Sequence, residues 1–351
     1  MDNNFNIKAH LLYEGIDITP KAKQKLDSIS DIWLMDDYIT CSGVTLKFEN
    51  KYVTTKVNEK SSYFLDVYDG ELVIYEKGCE NDSKRHFAIV IPPPPYMKDE
   101  IFIEGKSICC YVNTYLDRVR IQLLEGCASS CKFCNARDYS YKFNNLDALD
   151  KALNIALSES YIRHALLSSG NAKTGKDLEK LTSMYEFFID KYRDLEIDLM
   201  TPPRGFSSYY STNEYKEYIN FLYNKGLHGL SINVELNNEN YLKHFCPEKY
   251  EIGQDNYFKF IEEAVAVFGK NKVRSLLIVG LEPLSETLKG VERLASIGCN
   301  PVLSPLFPYG EAQGNLSAEL FIKAREKSEK ICKKYDIGLG PLCEPCSHNT
   351  L

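Results

Sequence analysis

The chain has 351 residues, of which 44% are hydrophobic, and its formal net charge is -7. This length exceeds that of a typical domain, so we expect one large domain with a smaller addition. The sequence contains no block of lysine and arginine, which argues against nucleic acid as the main partner because phosphate binding depends on clustered basic side chains. The same reasoning favours a small or neutral substrate. The sequence also lacks a secretory signal and any run of about 18 apolar residues, so we expect a cytoplasmic protein that does not act at a membrane.

Residues 1–105 are predicted to form a small β-rich domain. Residues 63–68 and 71–75 have the composition of strands, and Asp69-Gly70 between them tolerates the positive φ angles of a two-residue hairpin turn. Residues 91–96, Ile-Pro-Pro-Pro-Pro-Tyr, cannot continue a strand ladder because proline lacks an amide donor. We expect this segment to be a stiff connection.

From residue 106 to residue 336 the sequence alternates between predicted strands and helices. The strands are 119–126, 164–170, 196–202, 230–235, 273–280 and 301–306, and residues 337–342 would add a seventh. The helical segments show apolar residues at steps of three and four, namely Leu178, Leu181, Tyr185 and Phe188, and then Ile261, Ala264, Val265 and Phe268. Glycines are predicted to end three helices at Gly226, Gly269 and Gly298.

Repeated strand–helix units imply a parallel sheet with right-handed crossovers. We therefore predict an α/β fold, a partial TIM-like barrel of six or seven units, preceded by the β-rich domain and followed by a cysteine-containing tail at 337–351. Ligands of such barrels gather at the carboxyl ends of the strands, so functional residues are expected there.

Three cysteines directly follow the first barrel strand, in the sequence CASSCKFC. Three thiolates can bind three irons of a [4Fe–4S] cluster and leave the fourth iron open, whereas an electron-transfer cluster normally has four cysteines. The residues by themselves also allow a zinc site or simply reduced cysteines. Zinc sites, however, usually draw paired ligands from two separated segments, and no second pair follows within about 12–20 residues.

This pattern, with Phe133 before the last cysteine, resembles the signature of the radical S-adenosylmethionine (SAM) superfamily, in which the amino and carboxylate groups of SAM chelate the open iron. The resemblance implies that Cys127, Cys131 and Cys134 bind the cluster and that Phe133 packs near the adenine. It covers roughly residues 115–310 and is nearest to the biotin synthase-like branch.

The resemblance also implies cofactor-binding residues at two further strand ends. Ser168-Ser169-Gly170-Asn171 takes the position of a Gly-Gly-Glu-type segment that binds the methionyl ammonium, with Asn171 where an acid is usual. Asn233 and Glu235 have the same parity on the fourth strand, so both side chains are expected to point into the barrel. In the family, polar residues here contact the ribose or the methionyl group.

Later strand ends resemble the adenine-binding side of the family. Gly280 lies in an apolar-Gly-Glu segment whose glutamate, Glu282, comes one place early, and Phe307 and Tyr309 follow the sixth strand. Arg204 and Lys249 are candidate partners for a carboxylate of SAM or of the substrate, although Lys249 could instead be a solvated cation.

The tail ends with a Cys-x2-Cys pair, Cys343 and Cys346. If residues 337–342 form a seventh strand, both thiols reach the face of the first cluster, where Cys246 is also expected. We therefore predict an auxiliary iron–sulfur cluster held by Cys246, Cys343 and Cys346, with His348 or a substrate atom as a further ligand. A zinc knuckle, a redox thiol pair and structural thiols in a disordered tail are the alternatives.

The remaining cysteines carry no predicted chemistry. Cys299 and Cys332 are expected to pack in the core, while Cys41, Cys79, Cys109 and Cys110 stay unassigned. The number of cysteines, 12 in total, itself favours metal or redox chemistry, because intracellular thiols are kept reduced.

The resemblance as a whole implies a radical SAM enzyme. Such an enzyme takes an electron from a low-potential donor such as flavodoxin or ferredoxin, cleaves SAM to a 5′-deoxyadenosyl radical and abstracts hydrogen from a small-molecule substrate. An auxiliary cluster would allow sulfur insertion, and without one mutase, lyase or cofactor-maturation chemistry is equally open. A noncatalytic iron–sulfur or zinc redox sensor, which keeps the barrel as a scaffold, is the alternative from another class.

Overall fold

The computed structural model of the chain describes residues 3–35, 42–78, 85–98, 100–204 and 214–351. Cys41 and Cys79 lie outside these residues. Two larger sheets organise the described part of the chain, one in the first 90 residues and one between residues 112 and 305.

The first sheet confirms the predicted β-rich character of the amino-terminal region. Its strands run in the order β1-β5-β6-β7-β3-β2, and β4 pairs with β3. Two helices accompany the sheet, α1 (Asn3–Glu14) and α2 (Pro20–Ile29). The strands are β1 (Asp17–Ile18), β2 (Leu34–Met35), β3 (Gly43–Phe48), β4 (Lys51–Thr55), β5 (Tyr63–Tyr68), β6 (Glu71–Glu76) and β7 (His86–Val90).

The predicted hairpin is present between β5 and β6. The two strands pair antiparallel from Tyr68 opposite Glu71 to Tyr63 opposite Glu76. Asp69 and Gly70 have φ angles of 49° and 82°, the positive values that a two-residue turn of this kind requires.

The proline segment leads into the second sheet. A short 3-10 turn covers Pro95–Met97, and the buried hydroxyl of Tyr96 shares a hydrogen bond of 2.8 Å with the Thr114 hydroxyl. A small antiparallel pair, β8 (Phe102–Ile103) and β9 (Lys106–Ser107), follows. The connection is therefore anchored against the barrel.

The second sheet is the predicted partial barrel. Its order is β10-β11-β14-β15-β16-β17-β18, in which β10 is antiparallel to β11 and the other neighbours are parallel. A separate pair, β12 with β13, branches off after β11. The strands are β10 (Val112–Tyr115), β11 (Arg118–Gln122), β12 (Leu124–Glu125), β13 (Lys142–Phe143), β14 (His164–Ser168), β15 (Glu196–Met200), β16 (Gly229–Ser231), β17 (Val273–Val279) and β18 (Asn300–Pro305).

Helices follow the parallel strands along the chain, and the longer ones bury one apolar face in the core, as the periodicity predicts. They are α3 (Leu146–Glu159), α4 (Gly175–Lys191), α5 (Glu214–Asn224), α6 (Glu239–Phe245), α7 (Pro247–Ile252), α8 (Gln254–Phe268), α9 (Leu284–Ser296) and α10 (Ala318–Lys334). Thr174 and Asp177 form a capping box at the start of α4, and Gly269, with a φ of 90°, ends α8. None of the described helices combines the length and the apolar character that crossing a membrane demands.

The two sheets share one hydrophobic core. Helix α1 contributes Phe5 and Leu11 to it, α10 contributes Phe321, and the core continues through the barrel strands. Cys299 and Cys332 are buried in it, as predicted. The proposed domain boundaries at residues 105 and 336 remain predictions.

Two predicted strands differ from the structure. The fourth ends at Ser231, so Asn233 and Glu235 lie beyond it, and Glu235 has a φ of 65°. Residues 337–342 form no strand, and Gly340 makes only an isolated bridge to Val302. Pro341 follows directly and has no amide hydrogen with which to extend a ladder.

Candidate functional site at the carboxyl ends of the barrel strands

The cysteine loop, residues 127–134, lies at the carboxyl ends of the parallel strands, just after β11 and β12. The Ala128 amide donates a hydrogen bond of 3.0 Å to the Asn171 carbonyl after β14, and the Lys132 amide donates one of 2.9 Å to the Phe245 carbonyl at the end of α6. The segments that follow β14 and β16 therefore hold the loop at two points.

Backbone amides point at two of the three sulfurs. Cys127 Sγ accepts hydrogen bonds from the amides of Ser129, at 3.3 Å, and Asn171, at 3.1 Å. Cys134 Sγ accepts one from the Ala136 amide at 3.5 Å. Amide hydrogen bonds to sulfur stabilise thiolates and tune the potential of iron–sulfur clusters, so the loop has the donors that a cluster site needs.

Burial raises the pKa of the Cys134 thiol to about 11. A buried thiol of this kind keeps its proton until a metal replaces it, because only the thiolate ligates a metal. Loading of the site would therefore release a proton from this position.

A glycine permits the close approach of the first two strand ends. A Cβ atom on Gly170 would lie 1.9 Å from the Gly126 carbonyl oxygen and 2.6 Å from Cys127 Cα. No side chain fits at such distances. The Ser168–Asn171 segment is thus packed directly against the start of the cysteine loop.

The structure separates Cys246 from the tail cysteines with which it was grouped. Cys246 is fully buried at the junction of α6 and α7, and a hydrogen bond joins its sulfur to that of Cys131. This bond lowers the pKa of Cys131 and raises that of Cys246, so Cys246 keeps its proton and donates the hydrogen bond to the Cys131 sulfur. Cys246 belongs to the first cysteine site.

A cavity of about 350 Å³ occupies the barrel interior below the cysteine loop. This volume falls within the range of small-molecule sites, roughly 300–1000 Å³. The cavity brings together most of the residues predicted to bind the cluster and the cofactor, namely Cys127, Cys131, Phe133, Cys134, Ser168, Ser169, Gly170, Asn171, Asn233, Glu235 and Phe307.

Three of the residues predicted to bind the cofactor do not line this cavity and make hydrogen bonds elsewhere. Arg204 donates to the Thr182 hydroxyl at 2.6 Å, and its guanidinium lies 4.3 Å from the centre of the Tyr218 ring. The carbonyl of Gly280 accepts a hydrogen bond from the Asn315 amide at 3.2 Å. The Tyr309 hydroxyl hydrogen-bonds to Asp138.

Glu235 and Lys249 form a buried ion pair on the cavity wall. Their charged atoms are 2.9 Å apart and their side chains are only 11% and 12% exposed, so Lys249 is not a solvated cation. Lys249 also donates to the Asn233 carbonyl at 2.6 Å. Burial alone would lower the pKa of Lys249, but the Glu235 carboxylate outweighs it and holds the pKa above its ordinary value.

Glu282 has a structural role. Its carboxylate accepts hydrogen bonds from the amides of Asn237 and Asn238 at 2.8–3.1 Å and from the Thr287 hydroxyl at 3.3 Å. Glu282 therefore fixes the loop after β16 to the end of β17.

The sequence prediction missed the polar face of β11. Arg118, Arg120 and Gln122 all line the cavity, while Val119 and Ile121 between them are buried in the core. This alternation is visible in the sequence and is typical of a strand with one polar face. The cavity therefore has a cationic wall on its first strand.

The tail cysteines lie at the opposite end of the barrel from the cysteine loop. Cys343 and Cys346 meet His164, the first residue of β14, and Asp117, which precedes β11, and one ligand atom from each lies within 4.8 Å of the others. The predicted cluster of Cys246, Cys343 and Cys346 is therefore not assembled, because its members lie at opposite strand ends.

His348 is held by other groups than the tail cysteines. Its Nδ1 shares a hydrogen bond of 2.8 Å with the Thr54 hydroxyl, and its ring stacks on Tyr115 with the centroids 5.5 Å apart. Lys8 donates to the Ser347 carbonyl at 2.6 Å. Cys346, His348, Asn349 and Thr350 line the far end of the cavity, so the tail forms its floor.

Comparison with known proteins supports the fold. No protein-family model and no curated protein matches the sequence. Among solved structures, SuiB of Streptococcus suis, determined with S-adenosylmethionine bound, matches with 9% identity and a TM-score of 0.50, over 68% of this chain and 53% of that one. The [FeFe]-hydrogenase maturase HydG matches with 13% identity and a TM-score of 0.50, over 66% and 53%.

A radical SAM methyltransferase from Sphaerobacter thermophilus also matches, with 13% identity and a TM-score of 0.45, over 79% of this chain and 75% of that one. The chain spans about half the length of SuiB and HydG. At these identities the matches with SuiB and HydG show the fold alone, and they confirm the predicted partial barrel.

Proposed function

We propose that this protein is a radical SAM enzyme that acts on a small-molecule substrate. One observation carries the proposal: the three-cysteine loop stands at the carboxyl ends of the barrel strands, directly over a cavity of about 350 Å³. Three cysteines leave one iron of a [4Fe–4S] cluster without a protein ligand, and a cofactor bound there would face the cavity. SuiB, which shares the fold, was solved with SAM bound.

When bound, a [4Fe–4S] cluster with SAM on its open iron supplies a 5′-deoxyadenosyl radical for hydrogen abstraction. Cys127, Cys131 and Cys134 would hold the cluster. The Ser168–Asn171 segment offers backbone carbonyls to the methionyl ammonium, and Phe133 and Phe307 offer apolar surface to the adenine. The barrel positions the substrate and excludes water, which protects a reactive intermediate.

The Glu235–Lys249 pair contributes polar contacts from the cavity wall. One carboxylate oxygen of Glu235 binds Lys249, which leaves the other able to accept from a ribose hydroxyl or an ammonium group. Asn233, on the same wall, already accepts through Oδ1 from the Ser231 hydroxyl and the Leu276 amide, which leaves its side-chain NH₂ group to donate. This arrangement supports the predicted role of these residues in binding SAM.

We propose that the substrate is an anion. Arg118 and Arg120 face the cavity, and Arg118 Nε is buried with no hydrogen-bond partner. Arg274, by contrast, is neutralised by Asp198 at 2.6 Å. A substrate carboxylate or phosphate would satisfy Arg118 Nε, because guanidinium groups bind such anions through paired hydrogen bonds.

Sulfur insertion remains a narrower hypothesis. It depended on an auxiliary cluster whose predicted ligands lie at the two opposite ends of the barrel. Mutase, lyase or cofactor-maturation chemistry requires no such cluster, and we favour these reactions. We further propose that a low-potential flavodoxin or ferredoxin supplies the electron.

Anaerobic reconstitution followed by iron and sulfide counting tests the proposal. We expect about four irons per chain at the first site, and 5′-deoxyadenosine and methionine on reduction in the presence of SAM. A Cys127→Ala variant should lose the iron of this site and should form neither cleavage product. A fully loaded protein that binds no SAM and forms no 5′-deoxyadenosine would overturn the enzyme proposal and favour a redox sensor.

The anionic substrate has a separate test. Candidate substrate pools fractionated by charge would be assayed for stimulation of SAM cleavage. The assay compares the wild type with Arg120→Gln, which removes the positive charge, and with Arg120→Lys, which keeps it. We expect anionic fractions to stimulate the wild type and the lysine variant more than the glutamine variant. Stimulation confined to neutral or cationic fractions would contradict the proposed substrate class while leaving SAM cleavage intact.

A further inference from the structure

We propose that Asp117, His164, Cys343 and Cys346 bind a single zinc ion at the amino ends of the barrel strands. The four residues come from three separate parts of the chain: the turn before β11, the first residue of β14, and the tail. The site is distinct from the cysteine loop, which lies at the other end of the same strands.

The spacing of the four ligand atoms suits one ion. All of them lie within 4.8 Å of one another, with Cys346 Sγ 3.1 Å from His164 Nε2 and Asp117 Oδ1 3.7 Å from the same nitrogen. Tetrahedral zinc with bonds of about 2.0–2.3 Å requires ligand atoms roughly 3.3–3.8 Å apart. A [4Fe–4S] cluster needs wider spacing, because each of its protein ligands binds a different iron.

One ligand oxygen is buried and lacks a partner. Asp117 Oδ1 has no hydrogen bond, although it is shielded from solvent and points toward His164. The other oxygen, Oδ2, accepts from Arg163 Nε at 3.1 Å. A buried carboxylate oxygen that lacks a donor costs free energy unless a cation binds it, and zinc would supply that cation.

Arg163 hydrogen-bonds two of the four ligands, Asp117 and Cys343. Besides Asp117, its guanidinium binds Cys343 Sγ, with Nη2 at 3.2 Å. Two thiolates and one carboxylate around a divalent ion leave a net charge of -1 beside the Arg163 guanidinium, which also pairs with Glu196 at 2.7 Å. Ligands that are themselves hydrogen-bonded by a second residue are the usual arrangement in protein zinc sites.

The ion would fix the floor of the cavity. Cys346 both belongs to the four ligands and lines the cavity, together with His348 two residues later. Binding zinc through two tail cysteines would tie the tail to the first residue of β14. The inference does not depend on the chemistry at the cysteine loop.

Metal analysis of the full chain, purified without oxygen and without chelators, tests the site. We expect about one zinc per chain by mass spectrometry, and at least a tenfold loss in the Cys343→Ser/Cys346→Ser double variant. A Cys110→Ser variant, which removes an exposed thiol, should keep the zinc. The Cys127→Ser/Cys131→Ser/Cys134→Ser variant should lose iron but retain zinc.

Cobalt provides a measurement on the unaltered chain, in case a variant fails to fold. Replacing zinc with Co²⁺ should produce the intense visible bands of a tetrahedral ion and a thiolate charge-transfer band. Asp117→Asn should weaken Co²⁺ binding at least tenfold. Zinc below about one tenth per chain after dialysis against ZnCl₂, or a Cys343–Cys346 disulfide in anaerobically purified protein, would overturn the proposal.

Discussion

The backbone amide of Asn171 donates a hydrogen bond to the sulfur of Cys127 over 3.1 Å. The contact joins the loop after β14 to Cys127, the first cysteine after β11. The segment after the second parallel strand therefore positions the thiol that follows the first parallel strand. The Asn171 side chain reinforces it, since Nδ2 donates to the Ser129 hydroxyl at 2.6 Å. An amide at this position, where an acid was expected, is thus explained by its binding to the cysteine loop.

Gly170→Ala should disrupt this junction. The added methyl group would meet the Gly126 carbonyl oxygen at 1.9 Å, and backbone must move to relieve the clash. We expect a loss of about 1–3 kcal/mol in unfolding free energy. SAM cleavage should fall about a hundredfold, because a displacement of about 1 Å in a reacting group has effects of that size. Denaturant titration and a 5′-deoxyadenosine assay measure the two effects.

Gly226→Ala is the matched control for this substitution. Gly226 also has a positive φ, 95°, but a Cβ there would meet no atom within 4 Å. The variant should therefore show backbone strain of about 1 kcal/mol and normal SAM cleavage. Equal cleavage by the Gly170 and Gly226 variants would contradict the proposed tight junction.

Glu235→Gln should destabilise the barrel by leaving the Lys249 ammonium buried without its carboxylate. The two side chains are 11% and 12% exposed, and breaking a pair buried to this degree costs about 3–5 kcal/mol. Thermal and denaturant unfolding of Glu235→Gln, Lys249→Met and the double variant form a cycle. The double variant should recover most of the stability while still binding SAM weakly. If Glu235→Gln lowers the unfolding free energy by less than about 1 kcal/mol, the ion pair is not a strong one.

Much of the site could be predicted from the sequence because its features are local. The cysteine loop is a contiguous motif, and runs of apolar residues indicate the strands whose ends surround it. Ser168–Asn171 and Phe307 follow directly from those ends. Each of these residues lies within a few positions of a predicted strand terminus, so an error of one or two residues at the terminus does not move them out of the cavity.

The remaining features depend on contacts that local patterns do not record. Asn233 and Glu235 do line the cavity, but they lie past the end of β16, so the argument from strand parity was wrong. Cys246 was predicted to share an auxiliary cluster with the tail cysteines, whereas the turn between α6 and α7 places it beside Cys131. Cys343 meets Asp117, 226 positions earlier in the chain, and no spacing rule connects the two.

Asp198 should make the stability of the barrel sensitive to acid. It lies on β15 and pairs with Arg274 of β17 at 2.6 Å and with His228 at 3.1 Å. Burial would raise the pKa of Asp198, but these two partners outweigh it and hold the pKa well below its usual range. The stabilisation is therefore complete above the unfolded-state pKa of about 3.9 and is lost as the pH falls below it toward the folded-state pKa.

Urea unfolding between about pH 6 and pH 2.5 measures this effect. Wild-type unfolding free energy should fall steeply below about pH 4, and Asp198→Asn should reduce that slope while costing about 3–5 kcal/mol at neutral pH. Asp194→Asn, at an exposed position, should change stability by less than about 0.5 kcal/mol. The same acid slope in wild type and Asp198→Asn would assign the effect to other carboxylates.

Cys246→Ala should leave the iron content unchanged and lower the reduction potential of the cluster. Cys246 donates a hydrogen bond to the Cys131 sulfur, and such a bond to a ligand sulfur favours the reduced, more negative cluster. Cys246→Ser is the matched comparison, because a hydroxyl can replace the thiol as donor. We expect about four irons in all three proteins, with the potential of the serine variant close to that of the wild type.

A redox titration followed by electron paramagnetic resonance gives the potential, and iron analysis gives the ligand set. If Cys246→Ala lost iron to the extent that Cys131→Ala does, Cys246 would be a fourth ligand and no iron would be open for SAM. The Cys246 sulfur already lies within hydrogen-bond distance of Cys131. The Cys246→Ala variant therefore tests directly whether one iron has an open coordination site. Retained iron together with a lowered potential would establish Cys246 as a donor to the cluster and not a ligand of it.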